Sequence, residues 1–184
     1  INPFMVAQPG KVLERLVTQH GFRALKMYPT YQWFAPNDHK LYPLYSVAQE
    51  LGIPIMFHTG SSVFAGARLK YGDPLLLDDV AVDFPRLNIL MSHAGRPFWY
   101  DRAAFLARLH DNVYLDLAGL PPKNLFKYMP DLSRIAHKCV FGSDWPGVPT
   151  IKENTEAFRN LPLSEEQRAM ILGGTAARLL GIEY

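Results

Sequence analysis

Five short apolar runs, set at nearly even intervals, constrain this chain more than any other feature of its 184 residues. They are FRALKMY (22–28), IPIMF (53–57), LNILM (87–91), NVYLDLAG (112–119) and CVF (139–141). Their midpoints, near residues 25, 56, 90, 115 and 141, lie 31, 34, 25 and 26 residues apart. That interval holds one strand, one helix and their connections, and strands joined in this way run parallel. The intervals themselves read as helices. Val12, Leu13, Leu16 and Val17 share one face of a helix over 11–20 that Gly21 stops. Further helices are expected from 38 or 41 to 51, over 74–84 behind an Asp73 cap, and over 101–110. Three more are expected over 121–138 with a break near Pro130, over 151–160, and over 164–180 behind a Ser164 cap. No hairpin signal of the Asn-Gly type occurs anywhere.

Short apolar strands alternating with helices leave two architectures, an open doubly wound sheet or part of a (β/α)8 TIM barrel. No GxGxxG or P-loop follows any of the strands, which weakens the nucleotide-binding open sheet. Three runs end in a residue able to ligate a metal or carry a proton: His58 after IPIMF, His93 after LNILMS and Asp144 after CVFGS. Such residues at the C-terminal ends of several strands fit a barrel, where they would share one rim. A single domain over residues 1–184 is expected.

Composition narrows the function classes. With 48% apolar and 20% charged residues the chain reads as a soluble globular protein. A formal net charge of +2 without a basic stripe argues against nucleic acid or an anionic membrane as partner. No apolar run approaches the ~18 residues of a membrane span. The opening INPFMVAQPG lacks the pattern of a secretory leader. Cys139, the one cysteine, can form no internal disulfide, which suits a cytoplasmic location.

His58 and Asp144 are the candidate metal ligands, since imidazole and carboxylate from separate strand ends can converge on one divalent ion. The plainer alternatives are a hydrogen-bonded core histidine and a loop cap in Gly142-Ser143-Asp144. His93 is either a ligand or a general acid/base. Lys26 could hold an anionic substrate or, if carboxylated, bridge two metals; pairing with an interior carboxylate is the simpler role. Arg96 could fork onto a substrate carboxylate or form a surface ion pair, and Trp145 could wall a pocket or only pack. Asp116 is read as holding a loop or a histidine from behind. His20, His110 and His137, at expected helix C-termini, are read as structural, and His39 as exposed.

Taken together, GFRALKMYP, IPIMFHTG, NILMSHAG, NVYLDLAG and FGSDWP resemble, in order and spacing, the amidohydrolase-2 branch of the metal-dependent amidohydrolase superfamily. That branch is related to aminocarboxymuconate-semialdehyde decarboxylase. The resemblance implies a (β/α)8 barrel, with His58 as the strand-5 metal histidine and Asp144 as the strand-8 aspartate that binds metal and handles a proton. It makes His93 the strand-6 histidine that ligates or acts as acid/base. The closing ILGGTAARLLG is similar to the family's terminal helix, with Thr175 where an asparagine is usual. The family's first-strand His-x-His pair is absent. By register the chain corresponds to about strands 4 to 8, with His58 and Asp144 left to hold a metal weakly and the strand-4 edge unpaired.

The expected function is that of a metal-dependent hydrolase using a divalent ion, zinc first, to activate water against a small amide, lactone or carboxylate substrate. His93 and Asp144 would act as catalytic groups, and Lys26, Arg96 and Trp145 as substrate contacts. Two alternatives stand beside it: nonoxidative decarboxylation, and a silent partial barrel that self-associates. Either the front of the barrel lies outside this sequence, or the open face is covered by another subunit. On the second reading a homo-oligomer is expected, because a large apolar opening is rarely left bare.

Overall fold

The strands are β1 (Leu25–Met27), β2 (Ile55–His58), β3 (Ile89–Ser92), β4 (Val113–Asp116) and β5 (Cys139–Val140). In the computed structural model, which describes residues 1–183, they form one sheet in the order β1-β2-β3-β4-β5 with every pairing parallel. Strand order that follows the sequence without reversal decides between the two architectures. A doubly wound sheet must switch direction around its first strand, whereas a barrel advances one strand at a time. The chain is a run of five consecutive barrel strands with their outer helices.

Register sorts the side chains by the two-residue period of a strand. Met27, Phe57, Met91, Leu115 and Cys139 align across the sheet, are fully buried, and join the main core beneath the helices. The intervening residues face the other way, in two rows. Lys26, Met56, Leu90 and Tyr114 form the lower row, and His58, Ser92, Asp116 and Val140 the upper one, at the strand ends. On that face Leu90, Tyr114 and Val140 pack with Leu179 from the last helix.

The helices on the outer side are α1 (Pro9–His20), α2 (Tyr42–Glu50), α3 (Asp78–Asp83) and α4 (Tyr100–Leu109). Gly21, at φ 69°, ends α1 as expected. Asp38 caps a 3₁₀ turn, His39–Leu41, that leads into α2, and Asp73 does the same through Pro74–Leu77 before α3. Two expectations need correction. Only Leu125–Tyr128 within 121–138 is α-helical, between the 3₁₀ segments Pro122–Asn124 and Leu132–Lys138, because the prolines deny the segment a continuous hydrogen-bond ladder. The expected helix 164–180 is three pieces. A Ser164–Gln167 capping box starts Glu165–Ala169, a π turn Met170–Gly174 follows, and Thr175–Leu180 ends the run. Gly173 and Gly174 give that middle turn little propensity to hold α geometry. A single helical turn, Pro29–Gln32, follows β1, and Ile151–Arg159 is helical as expected.

Candidate active site

Where β2 and β3 end, the chain delivers two imidazoles side by side. The His58 and His93 rings lie 4.9 Å apart, edge to face. Each ring is anchored by a carbonyl, and a carbonyl can only accept, so the anchoring nitrogen must carry the proton. His93 donates from Nδ1 to Ala118 O at 2.8 Å, which leaves Nε2 bare. His58 donates from Nε2 to Ser61 O at 3.1 Å, and its Nδ1 is buried without any partner.

The backbone that carries these groups is held in unusual conformations. His93, Ala94 and Gly95 have φ of 65°, 45° and 75°, three left-handed residues in succession, and Asp144 sits at 59°. A non-glycine residue there costs on the order of 1–3 kcal/mol and persists only where its surroundings dictate it. Asp144 comes from the loop after β5, and its Oδ2 lies 3.9 Å from Arg96 Nη1. The same Arg96 nitrogen donates to Gly119 O at 2.8 Å. Gly119, at φ 72°, is where the two approach: a Cβ there would stand 2.5 Å from both Arg96 Nη1 and Asp144 Oδ2.

Beneath this layer lies a second polar group. Lys26 Nζ donates to Ser92 Oγ, and Asp116 is hydrogen-bonded to the same serine. Asp116 Oδ1 also accepts from Ala118 N at 2.9 Å, so it braces the residue whose carbonyl holds His93. Burial dominates the electrostatics of all four titratable groups. It brings Lys26 down to about 8 against the pull of Asp116 and Asp144. It pushes His58 down to about 4, aided by His93 and opposed by the Ser61 hydrogen bond. It lowers His93 against the Ala118 carbonyl and Asp116, and it raises the Asp116 carboxyl.

A cleft of about 410 Å³ opens above. Its floor contains His58, His93, Arg96 and Asp144, and its walls are Tyr28, Tyr31, Phe64 and Trp145. Tyr28 stacks on His58 with ring centroids 5.2 Å apart. Of the residues singled out in the sequence, His58, His93, Arg96, Asp144 and Trp145 meet here, with Trp145 67% exposed on the rim and not packed away. Lys26 does not line the cleft; its ammonium is engaged one layer lower by Ser92. His110 pairs with Asp78 at 2.6 Å between the end of α4 and α3 and does not line the cleft. His20 and His137 are exposed at helix ends, and His39, also exposed, lies against Tyr42. The tyrosine walls, Phe64, Ser92 and the Gly119 contact were not found from sequence. The YPTY spacing after β1 was the available sign for the tyrosines.

The donor chemistry fits a divalent cation: an orphaned buried nitrogen on His58, a bare one on His93, and a carboxylate. Among the described residues, however, no group of three or more His, Cys, Asp or Glu side chains is arranged to hold a metal. Any cation would therefore need ligands beyond this set.

These features, a parallel run of barrel strands with histidines and an aspartate at the rim, define a TIM-barrel type of protein, and comparison with known proteins agrees on the fold. The family model described as amidohydrolase matches residues 7–182, and the chain belongs to that family. It is similar to an uncharacterized TIM-barrel protein, Bb4693, from Bordetella bronchiseptica, with 31% identity and a TM-score of 0.77 over 96% of this chain and 64% of that one. It shares its fold with a 5-carboxyvanillate decarboxylase from Novosphingobium aromaticivorans, solved with manganese and 4-hydroxy-3-methoxy-5-nitrobenzoic acid. There the identity is 13% and the TM-score 0.73, over 98% of this chain and 62% of that one. The 4-oxalomesaconate hydratase LigJ from Rhodopseudomonas palustris also shares the fold, at 22% identity and a TM-score of 0.69 over 96% and 61% of the two chains. The chain thus spans less than two thirds of the length of each.

Proposed function

We propose that the cleft belongs to a metal-dependent hydrolase acting on a small substrate with an amide, lactone or carboxylate group. The observation that carries this is a cleft lined by two imidazoles, each with one ring nitrogen free of a hydrogen bond, and by the Asp144 carboxylate. His58 and Asp144 would supply two of the ligands to a divalent ion, zinc in the first instance, which when bound lowers the pKa of water toward neutrality. Asp144, part-exposed beside Arg96, would accept a proton at its carboxylate. His93, with Nδ1–H committed to Ala118, has only Nε2 to offer; neutral, it accepts a proton there and then returns it to a leaving group. Arg96 is anchored through one nitrogen, and the rest of its guanidinium can orient a substrate carboxylate.

One observation favours a second reading, nonoxidative decarboxylation. The walls are aromatic, and together with a guanidinium they suit a flat carboxylic acid, the kind of ligand named for the fold relative solved with manganese. Calorimetric titration of the chain with zinc and manganese tests the shared premise. Binding that His58→Ala abolishes supports it; binding unaffected by that change, or no binding, defeats it. Assay of metal-loaded protein against lactones, amides and hydroxybenzoates then separates the two, by ring opening or amide cleavage in one case and carbon dioxide release in the other.

A further inference from the structure

We infer that Thr59 is a positioning residue for this cleft: its hydroxyl brackets the left-handed turn His93–Gly95 and so fixes the ring of His93 and the seat of Arg96. Thr59 Oγ1 donates to Ser92 O at 2.8 Å, immediately before the turn, and accepts from Gly95 N at 2.9 Å, at its last residue. One side chain from the end of β2 therefore spans the whole strained segment. Its backbone adds to the hold, since Thr59 N donates to Ser92 O and Ser61 N to Arg96 O. Between them Gly60 lies so close that a Cβ would be 2.0 Å from Arg96 O. Thr59 is 2% exposed and touches solvent too little for a role of its own. Three consecutive left-handed residues do not persist unaided. Without the hydroxyl the buried Gly95 N–H would lose its partner, and the turn would be free to relax toward ordinary φ. The His93 ring would then leave Ala118 O, the contact that keeps Nε2 bare.

Calling Thr59 functional rests on the proposed reading of the cleft, but the geometric claim is tested without metal or activity. Long-range ¹H–¹⁵N spectra of the histidine rings should give, for the intact chain and for Thr59→Ser, a His93 ring protonated at Nδ1 only. Thr59→Val, which keeps the shape and removes the hydroxyl, should lose that single tautomer while the His110 ring, held by Asp78, stays unchanged. A Thr59→Val protein that keeps the His93 tautomer overturns the inference. Should that variant fail to fold, amide exchange in the unsubstituted chain decides. Gly95 N–H should exchange far more slowly than the amide of exposed Val63, and equal rates would overturn the claim. Absence of metal binding or turnover would count against the proposed function and leave these readouts as they are.

Discussion

At the residue scale, the protonation of His58 follows from burial: held near 4 in the folded chain, the ring is neutral at pH 7, whereas an unfolded histidine titrates near 6.5. Between those values the unfolded chain binds a proton that the native one refuses, so stability is intact above about 6.5 and is lost as pH falls toward 4. His93, also lowered, contributes in the same direction. We expect the metal-free chain to lose thermal stability between pH 7 and 4.5, and His58→Asn to lose about 1–2 kcal/mol less over that range. Equal acid sensitivity in both proteins would refute the assignment. Gly119→Ala addresses the other side of the cleft. The left-handed φ costs roughly 1 kcal/mol, and the added methyl has to displace Arg96 or Asp144. Ligand affinity measured by titration should fall about 10-fold or more, a larger share of function than of stability. His58, His93 and Asp144 were legible in the sequence because each ends an apolar run, and strand ends of a parallel sheet share a rim. The grip of Gly119 on Arg96 was not, since those residues are 23 positions apart and meet only through the path of two loops.

At the scale of elements, the strands were legible to within a few residues because hydrophobic runs and spacing are set locally. Segments rich in proline and glycine were not, because there the choice among α, 3₁₀ and π turns is made by what each turn packs against. Asn112 is an example of a local residue with a distant task. From the entry to β4 its side-chain amide reaches Ala81 O, Phe84 O and Leu87 O at 3.2, 2.9 and 3.1 Å, closing the connection between α3 and β3. Asn112→Ala leaves those buried carbonyls short of donors, and we expect a loss of about 2–3 kcal/mol in urea unfolding with an unchanged m-value. The loop after β2 behaves oppositely. Phe64 is 69% exposed and meets Tyr31 at 5.7 Å on the cleft wall. Phe64→Ala should alter thermal stability by no more than about 0.5 kcal/mol. If the cleft takes flat acids, the variant should raise KM for an aromatic carboxylate several-fold, and an unchanged KM would remove Phe64 from the binding wall.

At the scale of the whole molecule, the question is what meets the two ends of the sheet. A barrel is stable because its last strand pairs with its first, leaving no edge. Among the described residues β1 pairs only with β2 and β5 only with β4. The last helix partly compensates: Arg23, just before β1, donates to Leu180 O and Gly181 O, and Leu179 packs on the sheet face opposite the main core. That cover is incomplete, for Met56, Leu90, Val140 and Leu179 still line an apolar cavity of about 270 Å³. An unpaired parallel edge next to apolar surface is a template for another chain. We therefore expect the 184-residue protein to self-associate in solution. Light scattering over a dilution series from tens of micromolar downward should give a mass that falls with concentration. Leu25 N already donates to Pro54 O beside β2, so along this strand it is the alternate amide, Lys26, that faces the open edge. If association uses that edge, the Lys26 amide should become protected from exchange as the mass rises. A monodisperse monomer throughout, with the Lys26 amide equally exposed at every concentration, would mean that the edge and the helix-covered face are stable as they stand.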